Sequence, residues 1–494
     1  MGENSEENLN IEQEHLETDP LLPQVEDIDN EDDSSLTPRH IFEESKTLGK
    51  LAWPVLFSYL VSYSITMAPV FSLGHIGKTY LAASALTTMF CNVTGFSVGL
   101  GMSSALDTLC SQSFTGAIDK FSLGKHLQRA IVVEFFLAIP IAILWWFTEP
   151  VLLLLGQNPE IARISGLFAR FMIPGLFPYL VNSCLQRYLQ GQGIMRPSLY
   201  ILLIASPINI FLQWLLVWSP LKVGPYGAPI ATSIVNTLLP LLSMLYIKFV
   251  DGGECYGGWE WKEALDLPKI YTVIKLGLPG ILMMCSEWWA FEIIALAAGI
   301  LGDDILAAQT VVLQTCSLCY CVPLGISVAT TTRIGNSLGA GKARAAKHIA
   351  FTGLAIGLIF AVINSTLLLS FKDVLGYLFT DDVEVVRLVA NILPLAALFQ
   401  LSDSIGATGG GAQINLSGYY IIGLPLGGLL AFKFDYGLLG LWIGITVGLV
   451  FVSIIEVIII SWRTDWDTEV EKALKLVRNI SSDDITFLLD QEAQ

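Results

Sequence analysis

Charge is what this chain has least of. Asp, Glu, Lys and Arg make up 14% of its 494 residues, whereas 53% are hydrophobic. Soluble domains carry about 25% charged residues, and the mean hydropathy of +0.61 lies well above their range. Histidine is also scarce: five residues spread singly, with no H-E-x-x-H. The run "GATGGG" at 406–411 fits neither the dinucleotide fingerprint nor the phosphate-binding loop. The eight cysteines are scattered, and Cys316, Cys319 and Cys321 fall in an apolar segment without a second ligand pair. These absences argue against an enzyme, a metal site, a resident cofactor, ATP as energy source and a nucleic-acid partner.

Apolar stretches of 18 or more residues take the place of charge. Each is long enough to cross ~30 Å of hydrocarbon as a helix. The ~10-residue alternation of a membrane β-barrel is missing. The sequence therefore predicts an all-α polytopic membrane protein. Its twelve spans fall near 50–72, 82–104, 127–147, 167–187, 198–218, 228–248, 272–298, 306–328, 349–371, 385–407, 413–432 and 438–461.

The net charge of −17 is local. Residues 1–37 hold thirteen Asp or Glu and no Lys or Arg, leaving −4 for the remainder. Such a segment is self-repelling and poor in aromatics, so residues 1–45 are expected to form a disordered acidic tail. Lys and Arg number thirteen after even-numbered spans and six after odd-numbered ones. This bias makes the even loops, and both termini, cytoplasmic. Arg187 and Arg129 are counted among the thirteen.

The two halves repeat. "KLAWPVLFSYLVS" (50–62) aligns with "KLGLPGILMMCSE" (275–287), and "GMSSALDTLCSQSF" (101–114) with "GISVATTTRIGNSL" (325–338). The offsets are nearly equal, and six spans per repeat make the repeats parallel. The expected organisation is a lobe at 46–248, a linker at 249–271, a second lobe at 272–462 and a cytoplasmic tail at 463–494. In transporters of this design the substrate site lies between the repeats near the bilayer midplane.

An ionisable group inside a span costs roughly 2.5–3.5 kcal/mol on insertion scales, so each one marks a functional candidate. Glu287 and Glu292 lie in the seventh span, in "CSEWWAFEIIALAAG", Asp403 in the tenth and Asp107 near the end of the second. Glu134, in the third, reads as close to an end and ranks lower. Gln112 follows Asp107 in the same stretch and joins it as a polar candidate. Glu287 stands first. Pro279 upstream can kink its helix, and the indoles of Trp288 and Trp289 attract organic cations. Glu292 lies about 140° round the helix from Glu287, so the two cannot share one narrow face. A carboxylate in apolar surroundings suits a desolvated organic cation or a proton competing with one. Sodium is the rival ion and would need several oxygen ligands.

"ETDPLL" (Glu17 to Leu22, with Leu21) and "DITFLL" (484–489) resemble dileucine signals read by sorting adaptors. They point to a vacuolar or lysosomal membrane ahead of the plasma membrane.

"ALDTLCSQSFTG" (105–116), "LGQNPEIA" (155–162), "LQRYLQGQG" (185–193), "EWWAFE" (287–292) and "TTRIGNSLGAGKA" (331–343) resemble, in order, the eukaryotic branch of the MATE family of multidrug and toxic compound extrusion transporters. The resemblance covers about residues 45–462. It implies two pseudo-symmetric six-helix lobes in a V, acting as a monomer. It also implies export of organic cations, xenobiotics or small metabolites in exchange for protons, with Glu287 and Asp403 at the positions of the family's working acids. The first span has no acid, and Ser62 aligns opposite Glu287, which weights coupling to the second half. One departure stands out. "GGG" at 409–411 runs straight into "AQINLSGYY", where the family has about eleven more residues, so a transport-impaired variant or a non-transporting receptor or scaffold is the alternative.

Overall fold

The computed structural model describes residues 38–218, 223–409 and 412–477. Among them are twelve helices long and apolar enough to span a membrane. They are α1 (His40–Gly74), α2 (Lys78–Gly116), α3 (Ser122–Trp146), α4 (Pro159–Gly191), α5 (Arg196–Trp218), α6 (Gly224–Phe249), α7 (Leu267–Leu301), α8 (Asp303–Gly339), α9 (Ala343–Ser370), α10 (Val383–Ile405), α11 (Ile414–Lys433) and α12 (Gly437–Arg463). The protein is an all-α polytopic membrane protein. Large exposed hydrophobics such as Phe71, Phe136, Ile300 and Ile421 belong to these helices, as expected where the solvent is lipid.

Two groups of helices can be told apart by their cores. Helices α7 to α12 share one apolar cluster, built around Ile294, Val312, Leu393, Phe399, Trp442 and Leu449. Clusters among α1 to α6 include one around Trp145 and Leu180 and another around Leu73 and Phe168. The halves meet along α1, α2, α7 and α8. A Cβ at Gly101 in α2 would collide with the backbone of Ile281 in α7, and a Cβ at Gly116 would lie 2.6 Å from the carbonyl oxygen of Gly339 in α8. Only glycine permits such approach. Thr115 Oγ1 donates to the Asn336 carbonyl at 2.6 Å across the same seam. The repeat-related segments of α2 and α8 thus lie against each other, as a pseudo-two-fold axis along the membrane normal requires.

The seam continues to the end of the bundle where the described chain starts and finishes. There Arg333 of α8 holds Glu44 with bonds of 2.6 and 3.0 Å, both side chains only 7% exposed. The helix carrying Glu44 begins at Pro38. It therefore extends into the expected tail and places an acid at the foot of α1 that the apolar run alone did not include. The linker at 249–271 is folded against α3. Arg129 is ion-paired with Glu263, Gln128 donates to the Gly258 carbonyl, and Gly124 N donates to the Cys255 carbonyl at 3.1 Å. Beyond α12, residues 466–477 form a further helix. Its Ala473, Val470 and Trp466 pack on Leu338 and Ala346 at the foot of α8 and α9, so the first part of the expected C-terminal tail is docked. The dileucine-like stretches lie outside the described residues.

Candidate functional site

The second half gathers three acids. Asp403 on α10 interacts electrostatically with Glu287 on α7 and with Glu456 on α12. Two phenols, Tyr320 on α8 and Tyr419 on α11, each interact with all three carboxyls. Tyr419 is fully buried and belongs to a π-helical segment, Ser417–Gly423, whose wider winding alters the direction of the side chains it carries. The neighbours Ser402 and Ser404 are buried. Ser404 Oγ donates to the Gln400 carbonyl at 2.8 Å, and Gln400 Nε2 donates to the Cys316 carbonyl at 3.0 Å, tying α10 to α8 beside Asp403.

The first half is organised differently. Arg187 on α4 is ion-paired with Asp107 on α2. Its Nε donates to Ser103 Oγ at 3.0 Å and its Nη2 to the Leu100 carbonyl at 3.3 Å. Arg187 is therefore no loop cation. It sits within α4, and Asp107 is engaged rather than available. Glu134 stands in the middle of α3, not near its end, is 0% exposed, and neither carboxyl oxygen has a hydrogen-bond partner. It interacts electrostatically with Arg187. The flanking run "AIVVEFFLAIP" is apolar on both sides of Glu134, and that symmetry was the signal for a mid-membrane position.

Between the halves stands Tyr59 of α1. It interacts with Arg187 and Asp107 on one side and with Tyr320 on the other, and Tyr179 of α4 interacts with Tyr59. A line of phenols thus leads from the first half's ion pair to the second half's acids. Tyr63, one turn along α1, interacts with Ser317 and Cys321 of α8.

The remaining residues singled out from sequence divide. Trp289 lies about 160° round α7 from Glu287. Its Nε1 donates to the Val93 carbonyl at 2.9 Å, inside the π-helical segment Asn92–Phe96 of α2. Trp289 thus pins the two halves together on the side of α7 away from Glu287. Trp288 is half-buried beside Glu287, and Glu292 is half-buried and lies outside the group formed by the three acids and two phenols. Gln112 has a buried Oε1 without a partner, and its backbone lies against Gly339 in the seam. Helix α10 runs on to Gly409 and the next helical segment starts at Ala412, so the connection after Asp403 is as short as the sequence indicates. Residues 410 and 411 of that connection lie outside the described residues. Glu456 was missed by sequence reading. Its signal was a single acid in "VSIIEVIII", within the most apolar of the twelve spans.

A family model, MatE, matches residues 54–215 and 279–416. The chain is 38% identical to an uncharacterized transporter of Schizosaccharomyces pombe, over 87% of this chain and 81% of the relative. It is 35% identical to Protein DETOXIFICATION 16 of Arabidopsis thaliana, over 89% and 92%. With Multidrug and toxin extrusion protein 1 of Homo sapiens it shares 36% identity, over 83% and 74%. Among solved structures, the eukaryotic MATE transporter AtDTX14 superposes with a TM-score of 0.82 at 32% identity, covering 88% of this chain and 99% of that one. With twelve apolar helices, this fold and these relatives, the chain belongs to the MATE family and is an integral membrane transporter.

Proposed function

We propose that the protein is a secondary active antiporter that exports organic cations, xenobiotics or small metabolites in exchange for protons. It works by alternating access between two lobes, 46–248 and 272–462. The observation that carries this reading is the pairing of Glu287 with Asp403 beside the phenols of Tyr320 and Tyr419. Two carboxyls in one apolar field cannot both stay charged at low cost, so the pair takes up a proton or a cation. Phenol and indole faces add attraction for a desolvated organic cation. Proton and substrate then compete for one site, which is the requirement for exchange. The seam at the termini end corresponds, in this reading, to a closed cytoplasmic side with the site reached from the opposite face. The cationic nature of the substrate follows the same logic, since among the described residues the charged groups that act on Asp403 are the carboxyls of Glu287 and Glu456. The names of the human and zebrafish relatives, Multidrug and toxin extrusion protein 1, agree with an export role.

The acidic segments "ETDPLL" and "DITFLL" support delivery to a vacuolar or lysosomal membrane through a sorting adaptor, with both termini cytoplasmic and the chain acting as a monomer. No cofactor is needed beyond the proton gradient. The short connection between Gly409 and Ala412 favours one second reading, a transport-impaired or non-transporting chain of the same fold. Proton-gradient-dependent uptake of a fluorescent organic cation into inverted vesicles separates the two. Uptake that collapses with the gradient supports the antiporter. No uptake with a panel of cations, under gradients of either sign, supports the second reading.

A further inference from the structure

Glu456 lies beyond residue 416, where the family match ends, and has no role in the reading above. It is 1% exposed, and both carboxyl oxygens are buried without a hydrogen-bond partner. Its position is set by close packing. Ser453, one turn earlier on the same face of α12, donates to the carbonyl of Ser402 at 2.8 Å, the residue before Asp403. On the α11 side, a Cβ at Gly418 would strike Val452 and come within 2.9 Å of the Gly448 carbonyl oxygen, so α12 lies hard against the π-helical segment that carries Tyr419. The groups that share this space are Glu287 from α7, Tyr320 from α8, Asp403 from α10 and Tyr419 from α11.

We infer that Glu456 is a third proton-exchanging carboxyl of the second-half site, gaining and losing a proton together with Glu287 and Asp403 as the site alternates between its loaded states. The inference rests on the antiporter reading and deepens it. A charged carboxylate with neither oxygen bonded is costly in this environment, and a neutral carboxyl is far less so. Three carboxyls in one field couple, and the charge on any one depends on the other two. A monovalent organic cation entering between Glu287 and Asp403 stabilises negative charge nearby and so releases protons from the group. A third acid adds one more proton that the site can hold and release. The step is a proton transfer: an O–H bond of the carboxyl breaks and the proton leaves for water at the open face, with no redox partner.

The test is infrared difference spectroscopy of the full chain in lipid nanodiscs, titrated from about pH 5 to about pH 9. It needs no knowledge of the substrate. The expected result is three carboxyl bands, one lost in each of Glu287→Gln, Asp403→Asn and Glu456→Gln, with the midpoints of the surviving two moved in each variant. A Glu456→Gln spectrum identical to wild type overturns the inference and leaves the Glu287–Asp403 reading standing. If Glu456→Gln removes a band but Glu287→Gln and Asp403→Asn change nothing, the antiporter site fails and Glu456 alone titrates, which also overturns the shared site. Retention of the other two bands shows that the variant is folded. If it is not, the wild-type chain is labelled with dicyclohexylcarbodiimide, which attacks protonated carboxyls. An adduct at Glu456 falling at least about threefold over the same range supports the inference. A constant adduct, or none, overturns it.

Discussion

The two halves share a repeat but treat buried acid in opposite ways. In the first half an arginine answers the acid: Arg187 meets Asp107, Ser103 and the Leu100 carbonyl, and its field reaches Glu134. In the second half Glu287, Asp403 and Glu456 face one another and two tyrosines. A fixed cation settles the charge of a carboxylate permanently. Without one, the charge depends on what arrives from outside. In the proposed antiporter, duplicated architecture is divided between a half that holds its shape and a half that changes its charge, with Tyr59 interacting with both.

The sharpest way to break this contrast is to neutralise the second half. Glu287→Gln is expected to lower gradient-driven uptake of a fluorescent cation by about 100-fold or more, the usual scale for removing a group essential to a step. Normal transport by Glu287→Gln would sink the division of labour. Next in size is the first half's ion pair. Arg187→Met strands Asp107, and the loss should be about 2 kcal/mol, since the pair is partly screened. Thermal unfolding in detergent checks this, and Arg187→Met with Asp107→Asn should recover most of the loss if the pair is architectural. A double variant as unstable as the single one would mean that Arg187 does more than balance Asp107. Arg333→Met should free the foot of α1 from α8. Faster hydrogen exchange at 110–116 and 333–339 is the expected sign, and unchanged exchange would show that the glycine seam alone closes this end. Inserting about eleven residues between Gly409 and Ala412, patterned on the first half's "LQRYLQGQGIMRPS", should raise transport severalfold. Equal activity of the two lengths would remove the short connection as a handicap. The smallest effect belongs to Trp289→Phe. It deletes the bond to the Val93 carbonyl and should cost about 1 kcal/mol, with substrate affinity unchanged if Trp289 only joins α7 to α2.

The spans were legible because each is an uninterrupted apolar run of known minimum length. Their ends were not. α1 reaches back to Pro38 through "PRHIFEESKTLGK", whose charge hides a helix that docks Glu44 on Arg333. Among site residues, Glu287 and Asp403 could be read from isolated acids in apolar runs, and the repeat and the family resemblance reinforced them. Glu456 carried the same signature but lay near the end of its span, where an acid usually reaches water. Burial by α10 and α11 is a property of packing that no single segment records. Arg187 misled in the opposite direction. A basic residue near a span end reads as a loop cation until its partner on another helix is seen. Trp289 likewise read as part of a cation site from its place beside Glu287, although the helical period sends its indole to the other side.

The glycine contact between Gly116 and Gly339 has a mechanical meaning as well. Where side chains interlock, parting two helices means unthreading one set of knobs from another. Here two backbones approach closely at glycines, stitched by a hydroxyl from Thr115, while Glu44 of α1 holds α8 separately through Arg333. In the proposed alternating access such a joint would open like a book spine: little must be rearranged, and water can take over the few bonds released. A single methyl at Gly339 would act as a wedge under the cover, holding the book ajar at the end that this structure keeps shut.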